Sequence, residues 1–205
     1  MQKIGWILLL VATIGDFAVP YILAPFYKGY NHEKQVMSVL GNPESPVRIP
    51  YNFWLVSLGI LLLISTKNII GLYSSASYGF TIILVALMSL FAIGAGILAG
   101  IFSVNKTKQI KNLPSKIHGI SSALGFMAMS FAPLFLSILS VKKHDNVTAA
   151  ISGISFILTL FFFVLFILSD KETFTKTKVD NEGLWQRLSL FFMYVPFMCV
   201  AIKGL

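Results

Sequence analysis

Six apolar runs, each close to the length a helix needs to cross a bilayer, follow one another along this chain. About 20 consecutive apolar residues make one helical crossing, because a helix rises about 1.5 Å per residue through a hydrocarbon core roughly 30 Å thick. The composition agrees. Of 205 residues, 56% are apolar and 12% charged, and the mean hydropathy is +0.80. An ordinary cytosolic domain carries about twice that charged fraction, so that class is excluded. The fold class that follows is all-α: a polytopic integral membrane six-helix bundle, a single membrane domain over 1–205. Its spans are expected at about 4–26, 51–70, 78–102, 117–141, 147–168 and 188–202. Lys3 could serve a signal peptide as its basic start, but the first run is too long and lacks a small-residue cleavage pattern, so it reads as a span.

The connections carry the charge. Sixteen Lys and Arg against eight Asp and Glu give a net +8, and basic residues in short links between apolar runs meet lipid headgroups, so no nucleic-acid partner is expected. The loops after spans one, three and five hold eleven of them: Lys28, Lys34, Arg48, Lys106, Lys108, Lys111, Lys116, Lys171, Lys176, Lys178 and Arg187. The opposite face holds Lys3, Lys67, Lys142, Lys143 and Lys203. The positive-inside rule then puts the long loops in the cytoplasm and both termini outside. The single cysteine, Cys199, excludes an intrachain disulfide, and His32, His118 and His144 show no close metal-ligand spacing; no metal and no cofactor is expected.

Local signals add detail. Asn31 as a cap and Gly41 as a stop frame a short interfacial helix in the first long loop, with Ser38 beside Lys34 and Gln35. Gly96 and Gly100 form a small-xxx-small pattern that lets another helix approach closely. Pro133 is expected to kink span four. The short link from Lys142 to Asn146 makes spans four and five antiparallel neighbours.

Asp16 is the most informative residue for function. It lies near the middle of span one, where an acid costs about 2.5 to 3.5 kcal/mol unless it has partners. No Lys or Arg falls deep in a span, so Asp16 is expected to be protonated, hydrogen-bonded to hydroxyls or amides, or facing a wet cavity. His118 opens span four, and Ser122, Gly125, Met129 and Ala132 continue its stripe, to line a groove or simply to pack. Gln186 and Arg187 enter span six beside Trp185, an aromatic-belt position; an arginine there is ordinarily a snorkelling anchor. His32, Ser38, Glu44, His118, Gln186 and Arg187 share one membrane face because every odd-numbered loop does. With Asp16 they are the candidate binding residues; no catalytic set is assigned.

The succession resembles the family called domain of unknown function 998. The residues that carry the resemblance are Met37-Ser38-Val39-Leu40-Gly41, Asn52 and Gly59 in span two, Gly100-Ile101-Phe102 closing span three, His118, and Gly183-Leu184-Trp185-Gln186-Arg187-Leu188. The family commonly has proline where this chain has Ser103, a departure of loop geometry more than chemistry. The resemblance implies six spans with polar residues gathered at one face of a bacterial or archaeal cell membrane, and no activity.

Three functions stay open. The first is binding or moving a small amphipathic or lipid-like molecule through a polar site near one membrane face. The second is a membrane-embedded, lipid-directed hydrolase using His, Ser and Asp. The third is a non-catalytic membrane subunit, sensor or immunity-type protein. The expected partners are the lipid bilayer, a lipid or amphipathic small molecule, and a second copy or another membrane protein.

Overall fold

In a computed structural model, which describes residues 2–103, 112–171, 173, 175–177 and 179–205, the described residues form helices joined by turns and no strand. Among the described residues six helical spans are long and apolar enough to cross a membrane. The first is α1 (Gln2–Leu23), extended by a 3-10 turn Ala24–Phe26. The second is α2 (Arg48–Tyr73), which continues through Lys67 and is longer than expected. Span three is built from α3 (Tyr78–Phe91), a π-helical stretch Ala92–Leu98 and α4 (Ala99–Ile101). Span four is α5 (Leu113–Ser130) and α6 (Ala132–Lys142). Spans five and six are α7 (Asn146–Ser169) and α8 (Glu182–Lys203). Lys106, Lys108, Lys111 and Lys178, counted in the charge balance, lie outside the described residues.

Each span packs on the next in sequence, and α8 closes on α1, so the six make a ring. Its interior holds Leu9, Leu58, Met88, Phe91, Met129, Leu136, Tyr194 and Phe197, all buried. The outer faces carry Ile7, Val11, Ile14, Phe53, Ile60, Ile154, Ile157 and Phe161, all exposed, as expected where the solvent is lipid. On α7 the inner stripe is the more polar one, with Thr148, Ser152, Ser155 and Thr159 buried.

Two local irregularities shape the half of the bundle that holds the polar residues. Span four breaks at Phe131, because Pro133 has no N–H to continue the helix and its ring crowds the preceding turn. Span three widens into π geometry through its glycines, and these make close approaches on two sides. A Cβ at Gly94 would sit 2.3 Å from Ser121 O on α5, and one at Gly96 would sit 2.8 Å from Gly59 Cα on α2. Ser121 Oγ donates to Gly94 O at 3.0 Å, pairing a carbonyl within the widened stretch.

The short helix of the first long loop is Met37–Gly41, in 3-10 geometry and shorter than the sequence suggests. Asn31 does not cap it: its Oδ1 accepts from the N–H groups of Glu33 and Lys34 at 2.8 and 3.1 Å in a separate turn, and the helix begins after an extended Val36 with no side-chain cap. Val36, Met37, Val39 and Leu40 are buried against the bundle. The loop therefore folds inward over one end of the ring.

Candidate functional site

The inner stripe of α1 runs Leu9, Ala12, Thr13, Asp16 and Pro20, at helical spacing. Asp16 is 3% exposed. Tyr194 of α8, fully buried, donates its hydroxyl to Asp16 Oδ2 at 2.8 Å, and its ring stands edge-on to Phe17 and Phe91. The indole N–H of Trp54 on α2 also bears on this carboxyl without reaching hydrogen-bond geometry. Trp54 lies where a Cβ at Gly15 would otherwise be, 2.3 Å from its ring. A hydroxyl partner was one of the solutions expected for Asp16, and Tyr194 supplies it.

The cavity, about 70 Å³, lies between α1, α2, span three, α5, α8 and the inward loop. Asp16, Ser38, His118 and Gln186 all line it, so four of the seven sequence candidates meet in space. His118 is buried inside α5 rather than at its opening, because the helix starts earlier, at an Asn112 cap that accepts from Ser115 N at 3.0 Å. His118 Nδ1 lies 2.8 Å from Phe102 O and 3.1 Å from Ala99 O. Carbonyls only accept, so Nδ1 carries a hydrogen, on a ring that faces the cavity. Ser122, one turn on, lines the same space with its buried Oγ unpartnered. Tyr51 and the apolar side chains of Leu55, Phe91, Phe126 and Leu190 complete the walls that matter here.

His32 and Arg187 form a second, adjacent cluster. Arg187 is 6% exposed, so the snorkelling expectation is overturned. The helix α8 begins at Glu182, which turns this guanidinium inward instead of toward headgroups. Its Nη1 donates to His32 O, Gly183 O and Gln35 O at 2.6, 2.8 and 3.1 Å. Its Nη2 donates to Tyr30 Oη at 2.6 Å and to His32 Nδ1 at 3.3 Å. Arg187 is also a buried cation whose charge reaches Asp16, which corrects the reading that no basic residue lies deep enough to act on it. The His32 ring stacks on Tyr21, with centroids 4.2 Å apart. Burial first, and then the Arg187 charge, lower the His32 pKa from its ordinary 6.5.

These contacts pin the loop. A Cβ at Gly183 would stand 2.2 Å from Gln35 O and 2.4 Å from His32 O, so the loop backbone rests directly on the first turn of α8. Gln186 Oε1 accepts from Met37 N at 2.8 Å, and Leu184 N donates to Glu33 O at 2.9 Å. Asn42, fully buried, donates from Nδ2 to Tyr27 Oη at 3.1 Å and to Val39 O at 2.5 Å. Ser103 does more than shape a loop: its Oγ accepts from Arg48 Nε at 3.1 Å and Asn52 Nδ2 at 3.2 Å. Glu44 is exposed, with its N–H on Asn42 Oδ1, and does not line the cavity.

Chemically, the cavity offers a carboxyl, an imidazole, hydroxyls and an amide within apolar walls. It suits a ligand group that donates hydrogen bonds or carries positive charge. Among the described residues no group of three His, Cys, Asp or Glu could hold a metal ion. Tyr51, Trp54 and Tyr194 were missed from sequence. The helical spacing of Gln186, Leu190 and Tyr194 on α8 was the signal that could have found the last of them.

Fold and composition define a multi-pass helical membrane protein with a small cavity beneath a docked loop. The family model described as "Protein of unknown function (DUF998)" matches residues 10–203, nearly the whole chain, and the chain belongs to that family. No curated protein and no solved structure matches it.

Proposed function

We propose that this protein binds a small amphipathic molecule, its polar head in the Asp16–His118 cavity and its apolar part between spans four and five. The observation that carries this reading is a buried carboxyl and a buried imidazole on the walls of one cavity whose other walls are largely apolar. At about 70 Å³ the space holds a head group or a few waters, well below the roughly 300 to 1,000 Å³ of pockets that enclose whole ligands. The tail therefore needs a path outward. Phe126 supplies a boundary for one: it lines the cavity and stacks on Phe163 of α7 with centroids 6.1 Å apart, with Phe166 at 6.0 Å. The helix α5 touches α7 and α8 only lightly along this seam.

The hydrolase reading has weaker support. Among the described residues no hydrogen bond joins Ser38 to His118, and Nδ1 of His118 is held by backbone carbonyls rather than by an acid.

The test is native mass spectrometry of protein purified in bilayer nanodiscs, with Asp16→Asn alongside. A hydrogen bond to a charged group contributes about 1.5 to 3 kcal/mol, so the variant is expected to hold a co-purifying small molecule about tenfold or more less well. Equal retention by wild type and Asp16→Asn, or an empty bundle in both, would reject the site and favour the subunit reading.

A further inference from the structure

At the opposite end of the bundle from the docked loop lies a much larger cavity, of about 570 Å³, between the ends of α1, α2 and α8 and the α6–α7 turn. That is the size of a ligand-holding pocket. Its apolar walls include Trp6, Leu72, Tyr73 and Val200, and its charged walls are Lys67, Lys143, Lys203 and Asp145. Three cations against one carboxylate leave a surplus of two among these wall residues.

The pairing inside the cavity shows which cations are spare. Lys203 Nζ reaches both Asp145 oxygens at 2.8 Å and Thr148 Oγ1 at 2.7 Å. This lysine, with Thr148, pushes the Asp145 pKa down to about 2, so the carboxylate stays charged and matched. Lys143 Nζ donates to Leu72 O at 2.9 Å, at the C-terminal end of α2. Lys67 is exposed, and its ammonium makes no hydrogen bond or ion pair among the described residues. Among the described residues two ammonium groups thus remain without an anion, at one end of the spanning helices and beside walls that suit an acyl or glycerol segment.

We infer that this cavity is a binding site for a phosphate group carried on an apolar tail, the headgroup of an anionic phospholipid, held by Lys67 and Lys143. The site is independent of the Asp16 cavity. A free phosphate shares the charge, but makes no use of the apolar walls.

The experiment is native mass spectrometry of the full chain from nanodiscs of dioleoylphosphatidylglycerol or of dioleoylphosphatidylcholine. It compares wild type, Lys67→Gln/Lys143→Gln, Lys67→Gln alone and Lys142→Gln. Lys142 lies on the same face but outside this cavity, over the Phe80 ring. The expected result is retained phosphatidylglycerol, and not phosphatidylcholine, on wild type and Lys142→Gln, with at least a tenfold loss on the double variant. If the double variant fails to fold, the exposed Lys67→Gln carries the test and must itself lower retention severalfold. Ten millimolar inorganic phosphate should not displace the lipid; displacement would overturn the lipid as source in favour of the free anion. Equal retention by wild type and the lysine variants, or of the two lipids, would overturn the site.

Discussion

His32 Nδ1 accepts from Arg187 Nη2 at 3.3 Å, and it can do so only while the imidazole is neutral. Protonation sets two cations against each other where the loop meets α8. Because the folded pKa lies below the ordinary 6.5, the unfolded chain binds that proton more readily. The stability contributed by neutral His32 is complete above about pH 6.5 and is lost as pH falls through the lowered value. Thermal melts in detergent from pH 8 to pH 5 should show a fall in Tm for wild type that His32→Gln largely lacks; parallel curves would refute this. At this scale Asp16 was legible because an acid within an apolar run is conspicuous and costly. Tyr51, Trp54 and Tyr194 were not, since aromatic residues are common in membrane spans, and nothing local marks those that turn toward an acid. Arg187 was misjudged for a related reason. Its burial depends on two carbonyls and a hydroxyl brought from Tyr30–Gln35, more than 150 positions away in the chain.

Gly94 shows how an element is specified by what packs on it. Its missing side chain lets Ser121 O approach to 2.3 Å of where a Cβ would be, and that atom is backbone, which cannot swing aside. Gly94→Ala should therefore destabilise the bundle by about 1 to 3 kcal/mol, the usual cost of overpacking. Gly71→Ala, at a glycine with open space around it, should leave stability nearly unchanged or slightly raised by helix propensity. Unfolding of both variants in a mixed-micelle denaturant series checks the contrast, and equal losses would refute it. The spans and the break near Pro133 were legible because run length and a missing N–H act locally. The π stretch and the 3-10 turn at Met37–Gly41 were not, since both depend on neighbours. The first is accommodated between Gly59 and Ser121, and the second is buried against the end of the bundle. The early start of α8 belongs with them, because Gly183–Arg187 is held in place by the loop that rests on it.

For the whole molecule, the ring closes α8 onto α1 and sets the two cavities at opposite ends. The orientation expected from the positive-inside rule, with the docked loop and the Asp16 cavity toward the cytoplasm, is open to a direct test. With Cys199→Ala as background, His144→Cys on intact cells should react with a membrane-impermeant maleimide, and Ser169→Cys should react only after permeabilisation. The reverse pattern would invert the protein. Six crossings, their order and the inward preference of Asp16 follow from the sequence by itself, because the cost of apolar chain in water and of charge in lipid depends on each segment alone. Which polar residues meet was decided by tertiary structure. The rotation of each helix about its axis and the docking of Tyr30–Gly41 on α8 arise from contacts between residues far apart in the chain. They bring Asp16, Ser38, His118 and Gln186 to one cavity, and leave Glu44 on the surface.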